Sequence, residues 1–198
     1  DGDVDGELRE GFIRKFKEKP TPEEAFSNVI NAGLYILEPE VMALVPEGEK
    51  YDFSKNLFPR LLEMGWPMYA KAIDGVWFDV GSPNELIRAQ HVLIEQRKSL
   101  PFPMPDGSVD GNGSFVSNTA HLGSDVELHK SIVASDCSVG SKSSLHETVL
   151  MQGASVGLNV SLSGCILSPG AIVEDNVSAS NLVLGDDECL KSDDNRIL

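Results

Sequence analysis

Four polar side chains in the front part of the chain are of types that can bind a phosphate group and a divalent metal ion: Glu18, Lys19, Asn31 and Asp79. A lysine ammonium serves phosphate as a point charge, and Mg²⁺ prefers hard carboxylate oxygen. Each residue also has a plainer explanation. Glu18 and Lys19 can form a solvated surface pair, Asn31 can bond only to backbone, and Asp79 can cap a turn. Residue types alone leave both explanations open.

The second half of the chain carries an internal repeat of 17 residues. Val or Leu, with one Ala, recurs in steps of six, six and five from Val116 to Leu184. We expect each repeat to form one coil of three short strands, with the aliphatic side chains stacked inward about 4.8 Å apart. A second apolar column and a glycine column share the period: Ile132, Val149, Ile166 and Val183, then Gly123, Gly140 and Gly157. We expect these glycines at corners that need a positive φ.

The residues before the repeat predict a mixture of helices and strands. The expected strands are Phe12–Phe16, Asn31–Leu37 and Trp66–Ile73. The expected helices are Glu40–Val45, Arg60–Met64 and a longer one from Ser82 to about Arg97. Ser82 and Glu85 have the spacing of a capping box at the start of the long helix.

The domain organisation follows from these elements. Alternating prolines after Leu100 predict an extended connector. We therefore expect an α/β domain over 1–98, a Pro-rich connector over 99–112, a β-helix over 113–190 and a tail over 191–198.

Four motifs occur in a fixed order along the front part: Phe16–Pro20, Asn31–Tyr35, Asp52–Pro59 and Trp77–Pro83. Their order and spacing resemble the second half of the sugar-1-phosphate nucleotidyltransferases, or NDP-sugar pyrophosphorylases. A proline connector followed by a hexapeptide β-helix is similar to the longer members of that family. The resemblance implies a partial, Rossmann-like α/β nucleotidyltransferase domain, followed by a parallel β-helix that is left-handed.

The resemblance also implies a reaction and its site residues. A sugar-1-phosphate oxygen attacks the α-phosphorus of a nucleoside triphosphate, and pyrophosphate leaves. By motif, Glu18 contacts sugar hydroxyls, Lys19 contacts the sugar phosphate, Asn31 lines the sugar site, and Asp79 binds Mg²⁺. We expect no side-chain nucleophile, because such transfer needs positioning and charge neutralisation. The stretch Tyr51–Lys55 favours mannose-1-phosphate guanylyltransferase-like members, with glucose-1-phosphate adenylyl-, thymidylyl- and uridylyltransferases as alternatives.

The nucleotide-binding part of the family pattern is not found in this sequence. In the family, a glycine-rich loop for the triphosphate and a first metal aspartate precede the motif that contains Glu18. The early glycines here, Gly2, Gly6 and Gly11, lie among acidic residues that repel phosphate. We therefore expect the 198 residues alone to show no pyrophosphorylase activity and to contain no pocket for the base.

Two other classes of protein remain open. A hexapeptide acyltransferase uses a histidine on its β-helix, and His121, His129 and His146 lie there. No insertion interrupts the 17-residue period, however, and we expect these histidines to be turn residues. The other class is a non-catalytic assembly or regulatory subunit, against which the presence of Glu18, Lys19 and Asp79 argues.

Composition restricts the partners and the location. A net charge of −15 argues against nucleic acid, and the apolar runs are too short to cross a membrane. An odd number of cysteines, Cys137, Cys165 and Cys189, fits reduced thiols in the cytoplasm, with Cys137 and Cys165 in the core. We also expect a homo-oligomer formed through the β-helix, because its ends expose strand edges.

Overall fold

The computed structural model describes residues 9–27 and 29–192. The chain divides into two compact units, Asp1–Trp77 and Phe78–Leu198. Compactness does not decide where a family domain ends, so the boundaries expected at 98, 112 and 190 stay predictions. Most of the expected tail lies outside the described residues. Within the described ranges, no helix is long and apolar enough to cross a membrane.

The first unit consists of one small sheet and short helical segments. These are β1 Glu10–Phe12, α1 Pro39–Met42, a π-helical turn Phe53–Leu57, α2 Phe58–Glu63 and β2 Tyr69–Lys71. Strands β1 and β2 pair antiparallel. Asp52 starts the π-helical turn, because its carboxylate accepts the backbone N–H of Lys55 at 2.9 Å. Leu57, Phe58 and Leu61 are the buried centre of this unit.

The predicted strand Asn31–Leu37 is wrong. The segment is irregular and pairs with no strand among the residues that the structure describes. Leu34 is 78% exposed and Ile36 is fully exposed. A strand needs a neighbouring backbone to satisfy its N–H and C=O groups, and apolar composition does not supply that neighbour. The other predicted elements of this unit exist, but they are shifted by a few residues or shortened.

The second unit begins with a helix, α3 Pro83–Glu95. The Ser82 hydroxyl accepts the backbone N–H of Glu85 at 3.3 Å, as the capping box predicts. The Glu85 carboxylate instead contacts Arg88 at 3.4 Å, one turn further along the helix. A strand, β3 Gly107–Val109, then pairs antiparallel with β4 Phe115–Ser117, the first strand of the repeat.

The repeat forms a parallel β-solenoid of about four coils, and its hexapeptide pattern implies a left-handed β-helix. The predicted fold class is therefore confirmed. Parallel partners lie 17 residues apart, as in Val149 beside Ile166. After β4 the strands are β5 His121–Leu122, β6 Glu127–His129, β7 Ile132–Val133, β8 Ser138–Val139, β9 Ser144–His146, β10 Val149–Leu150, β11 Ser155–Val156, β12 Ser161–Ser163, β13 Ile166–Leu167, β14 Ile172–Val173, β15 Ser178–Ser180, β16 Val183–Leu184 and β17 Cys189–Leu190. Three sheets run in the orders β16-β13-β10-β7-β4-β3, β17-β14-β11-β8-β5 and β15-β12-β9-β6.

The predicted inward column forms the core of the solenoid. Val133, Leu150 and Leu184 have no exposed surface, and Cys137 and Cys165 are fully buried among them, as predicted. One inward position of the first coil, Leu122, is 41% exposed. It lies in β5, the edge strand of its sheet, where no earlier coil covers it.

The explanation given above for the repeating glycines is wrong. Gly123, Gly140 and Gly157 do not have positive φ. A Cβ at Gly123 would lie 2.5 Å from the backbone nitrogen of Ser141 in the next coil, and one at Gly157 would lie 2.7 Å from that of Asp175. Glycine is needed there because successive coils approach closely. Other residues take positive φ at the corners, in columns spaced by 17: Asp125, Lys142, Asn159 and Asn176; Lys130, Glu147, Gly164 and Asn181; Asp136, Gly153, Gly170 and Asp187.

The second apolar column lies on the outside of the solenoid. Ile132, Val149 and Ile166 alternate with the inward residues and pack with Ile87 and Ile94 of α3. The helix therefore covers an apolar stripe of the first sheet. The His91 Nε2–H donates to the carbonyl of Lys130 at 2.6 Å beside this contact.

A ladder of buried hydroxyl groups fixes one corner of the solenoid. The backbone N–H groups of Ser131 and Thr148 each donate to the hydroxyl one coil earlier, on Ser114 and Ser131, at 3.1 Å. The Cys165 N–H donates to the Thr148 hydroxyl at 3.3 Å. All four side chains are fully buried, so each hydroxyl satisfies a donor that water cannot reach.

We predict that Ser131→Ala destabilises the solenoid. The change leaves the buried Thr148 N–H without an acceptor, which costs about 1–3 kcal/mol of unfolding free energy. Urea unfolding followed by circular dichroism measures the loss. Ser161→Ala, at an exposed position of β12, is the matched control and should change stability by less than about 0.5 kcal/mol. Equal losses in both variants would contradict the ladder.

We predict that only Cys189 reacts with a thiol reagent in the folded protein. It is exposed, whereas Cys137 and Cys165 are buried. Burial raises the pKa of both inner thiols, so they hold little reactive thiolate. Mass spectrometry after iodoacetamide treatment should find one modified cysteine without urea and three with it. Native labelling of all three at similar rates would argue against the packed core.

Candidate functional site

Glu18 and Lys19 lie on a loop that is closed by another acidic side chain. The Glu24 carboxylate accepts from Lys17 Nζ at 2.9 Å through one oxygen and from the Thr21 backbone N–H at 3.2 Å through the other. Lys19 takes a positive φ of 47° inside this loop. Lys17, which precedes Glu18 and Lys19, therefore forms an ion pair with Glu24.

The side chains of Glu18 and Lys19 have no hydrogen bond or ion pair with any residue that the structure describes. Glu18 is half-buried and Lys19 is exposed. An ammonium group with no carboxylate on it is available to a phosphate, and a carboxylate can accept from hydroxyl groups. The two residues do not form the surface ion pair that was their plainer explanation.

Asn31 is the centre of a small hydrogen-bond network. Its Oδ1 accepts the Gly33 backbone N–H at 2.9 Å. Its Nδ2 donates to the Tyr35 hydroxyl at 2.6 Å and, at the long distance of 3.5 Å, to Ser54 Oγ. Asn31 thus organises the irregular segment where a strand was expected. This local role does not use the second lone pair of Oδ1.

Asp79 lies in the second unit, ahead of α3. Its carbonyl accepts the Gly81 N–H at 2.8 Å, whereas its carboxylate is exposed and makes no hydrogen bond with a described residue. The helix cap is Ser82, so the carboxylate does not serve as a cap. The neighbouring Phe78 ring lies under the Arg88 guanidinium, 5.5 Å from its centroid.

The Asp79 carboxylate can serve as one ligand of Mg²⁺ but cannot form a complete metal site by itself. Among residues 9–27 and 29–192, no group of three or more His, Cys, Asp or Glu side chains is arranged to hold a metal ion. Mg²⁺ commonly uses one or two carboxylates and fills its other positions with water and phosphate oxygens. A single carboxylate at Asp79, which bonds to no other described residue, fits that pattern.

Each unit thus contributes different candidates. The structure places Glu18, Lys19 and Asn31 in the first unit, with the first two adjacent on one loop, and Asp79 in the second. Their roles stay predictions.

Sequence reasoning missed the residues that hold these candidates. Glu24 closes the loop around Glu18 and Lys19, and its spacing from Thr21 is that of a capping box, a signal that could have found it. Tyr35 was visible only as part of a motif. Tyr35 lies four positions after Asn31 in an irregular segment, so no periodic pattern predicts their contact.

The histidines of the solenoid form no enclosed site. His129 and His146 stack in register on adjacent strands, with ring centroids 4.7 Å apart and planes 2° from parallel. Both side chains are exposed, as is His121. The coils run from Phe115 to Leu190 without an inserted loop.

Comparison with known families supports two segments. Residues 3–96 match the model of the family described as nucleotidyl transferase. Residues 107–193 match the model described as GlmU-like, C-terminal hexapeptide. The front segment is therefore similar to nucleotidyl transferases and the rear segment to the GlmU-like hexapeptide domain, and the relatives that match are named as sugar-1-phosphate nucleotidyltransferases.

Individual relatives differ in sugar and nucleotide. A UTP–glucose-1-phosphate uridylyltransferase of Synechocystis sp. is 43% identical over 47% of this chain and 24% of its own length. A probable mannose-1-phosphate guanylyltransferase 2 of Arabidopsis thaliana is 31% identical over 57% of this chain and 30% of its own. A glucose-1-phosphate adenylyltransferase of Desulfitobacterium hafniense is 30% identical over 62% of this chain and 31% of its own. The chain spans about a quarter to a third of the length of these relatives.

Solved structures add little. A perosamine N-acetyltransferase from Caulobacter crescentus is 18% identical, with 68% of each chain covered and a TM-score of 0.35. That score is too low to support any argument about this chain.

We predict that the Lys17–Glu24 contact weakens in acid. Hydrogen bonds from Lys17 and then from the Thr21 backbone lower the pKa of the Glu24 carboxyl. Because the pKa is lower in the folded loop than in the unfolded chain, the contact stabilises the loop above the unfolded pKa. This contribution is lost as the pH falls through the folded pKa. An NMR titration of the Thr21 amide between pH 7 and pH 2 measures it.

Two variants test the cause of this titration. Lys17→Met should move the midpoint at Thr21 to higher pH, because the cation that favours the carboxylate is gone. Glu24→Gln should abolish the titration at this amide. A Thr21 amide that titrates identically in all three proteins would show that Glu24 does not close the loop.

Proposed function

We propose that this chain supplies the sugar-phosphate side of a sugar-1-phosphate nucleotidyltransferase, which converts a nucleoside triphosphate and a sugar-1-phosphate to an NDP-sugar and pyrophosphate. The observation that carries the proposal is that the adjacent Glu18 and Lys19, on the loop closed by Glu24, pair with no residue in the ranges 9–27 and 29–192. These residues lie within the segment that matches the nucleotidyl transferase family.

In this proposal the residues bind and orient the reactants, and none forms a covalent intermediate. The Lys19 ammonium neutralises the sugar phosphate, Glu18 accepts from sugar hydroxyls, and Asn31 borders the same sugar. The phosphate oxygen attacks the α-phosphorus, and the bond to the β-phosphate oxygen breaks. Asp79 would hold Mg²⁺, which supplies charge neutralisation on the phosphates when bound. Positioning the two phosphates is the main contribution of this chain.

The nucleotide side requires another part of the catalytic machinery. The sequence contains no G-x-G-x-x-G or G-K-[ST] loop to hold a triphosphate through backbone N–H groups. The exposed apolar side chains of Leu34 and Ile36 support the proposal that the first unit works against further polypeptide.

The sugar and the base follow from weaker signals. The Tyr51–Lys55 stretch favours mannose-1-phosphate guanylyl transfer, whereas the 43% identity to a uridylyltransferase favours glucose-1-phosphate uridylyl transfer. We propose both pairs as the first substrates to test.

The proposal extends to assembly and location. We propose that the β-helix joins copies of the chain into a homo-oligomer. Its sheets end in edge strands such as β5, which is paired with another strand on one side only. All three cysteines are free, which supports a cytoplasmic location.

We predict that Lys19→Ala weakens binding of glucose-1-phosphate and mannose-1-phosphate. Loss of a charge-assisted contact costs about 1.5–3 kcal/mol, or about 10- to 150-fold in Kd. Phosphorus NMR titration of the purified chain measures the change. Lys50→Ala removes an exposed cation elsewhere in the first unit and should leave the Kd within about twofold.

The same protein tests whether nucleotide binding requires a part of the enzyme other than this chain. With either sugar phosphate, its nucleoside triphosphate and Mg²⁺, the 198-residue chain should release no pyrophosphate. Measurable release from homogeneous protein would refute the need for a separate nucleotide-binding part. Absence of sugar-phosphate binding would instead favour a non-catalytic assembly subunit.

A further inference from the structure

We infer that Tyr35 is a positioning residue, which orients the Asn31 side chain so that it accepts a hydrogen bond from a sugar hydroxyl. This inference rests on the proposed function and gives it a chemical preference. It starts from three contacts of Asn31: the Gly33 N–H at 2.9 Å, the Tyr35 hydroxyl at 2.6 Å and Ser54 Oγ at 3.5 Å.

The orientation of the Asn31 amide follows from its partners. The backbone N–H of Gly33 can only donate, so the side-chain atom facing it must be Oδ1. Nδ2 must then face the Tyr35 hydroxyl, which accepts one of its two hydrogens. Ser54 lies near the second hydrogen, at the limit of hydrogen-bond distance. The Nδ2 hydrogens are thus directed into the protein.

The remaining capacity of Asn31 is one lone pair on Oδ1. A carbonyl oxygen has two acceptor positions, and Gly33 occupies one of them. Asn31 in this orientation can accept from a hydroxyl, whereas its Nδ2 hydrogens face Tyr35 and Ser54 and are less suited to a phosphate oxygen. The ligand group suited to it is therefore a sugar hydroxyl, while the phosphate needs a cation such as Lys19.

Tyr35 can hold this orientation because its ring is fixed by aromatic packing. The ring meets Phe58 edge-on at a centroid distance of 5.1 Å and Phe53 at 5.9 Å. Phe58 is only 7% exposed and lies at the centre of the first unit. The hydroxyl position is thus set by the core, although Asn31 itself is exposed.

Removal of the hydroxyl should release the amide without disturbing the packing. Tyr35→Phe keeps both ring contacts and deletes only the acceptor of Nδ2. The Asn31 side chain can then rotate, and binding a sugar hydroxyl must order it again. We expect the Kd for glucose-1-phosphate or mannose-1-phosphate to rise about three- to tenfold, the range for one hydrogen bond.

The experiment compares Tyr35→Phe with two other variants of the 198-residue chain. Tyr51→Phe removes the hydroxyl of another tyrosine of the first unit, which packs against the cluster of Leu57, Phe58 and Leu61 and makes no hydrogen bond with a described residue. Asn31→Ala removes the oriented group itself. Binding of glucose-1-phosphate, mannose-1-phosphate and inorganic phosphate is measured for each protein, and NMR follows the Asn31 side-chain amide resonances.

The inference predicts a particular pattern. Tyr35→Phe should weaken both sugar phosphates, leave inorganic phosphate unchanged, and shift the Asn31 amide resonances. Tyr51→Phe should match the original chain, and Asn31→Ala should weaken the sugar phosphates at least as much as Tyr35→Phe. A merely structural effect of Tyr35→Phe would weaken inorganic phosphate as well, and would overturn the inference.

The remaining outcomes distinguish failure of the positioning role of Tyr35 from failure of the proposed function. If the original chain binds and Asn31→Ala weakens it, but Tyr35→Phe does not, the positioning role is wrong and the proposed function stands. If Asn31→Ala has no effect, Asn31 is not part of the sugar site, and the inference is wrong for that reason. If the original chain binds no sugar phosphate, the proposed function fails and the inference fails with it.

Discussion

Close stacking of one coil on the next is the constraint on which the second unit depends. Each strand donates to the coil after it, as in the Val149 N–H to the Cys165 carbonyl at 2.8 Å. That spacing leaves no room for a Cβ at Gly123 or Gly157. It also carries the hydroxyl ladder, since each hydroxyl must reach the backbone one coil away. Sequence period, glycine positions and buried polar groups thus have a single cause.

The outer surface of the same stack positions a functional candidate. The stripe of Ile132, Val149 and Ile166 gives α3 an apolar face to cover. The helix is capped at Ser82, three residues after Asp79, and the Arg88 guanidinium lies over Phe78. The proposed metal ligand is therefore anchored in the unit that contains the β-helix, although its motif lies within residues 3–96, which match the nucleotidyl transferase model. A structural repeat can thus hold a candidate residue in place without supplying a reactive group.

The sequence predicted the solenoid well because its signal is periodic and each coil meets only its neighbours. The inward column, the buried cysteines and the Ser82 cap follow from local rules. The Asn31–Leu37 strand failed because pairing depends on a partner that local composition does not specify. The glycines were misinterpreted for a related reason. Glycine is required both where the backbone has a positive φ and where a neighbouring backbone comes too close for a Cβ, and the sequence does not distinguish the two cases. Motif order selected Glu18, Lys19, Asn31 and Asp79 as candidates, whose roles stay predictions, and no pattern in the sequence gave their contacts.

The candidate site shows why a structural explanation and a functional one need not compete. Asn31 bonds to its own segment, as the plainer explanation held, and those bonds use only one of the two acceptor positions of its exposed Oδ1. Lys17 forms the surface ion pair expected of a lysine, whereas the Lys19 side chain pairs with no residue in the described part of the chain. In both cases the contacts of the local segment indicate which group of the candidate residue remains for a ligand. If the proposed roles hold, Tyr35 and Glu24 shape the ligand preference of this unit through the contacts that they make with Asn31 and with the loop of Glu18 and Lys19.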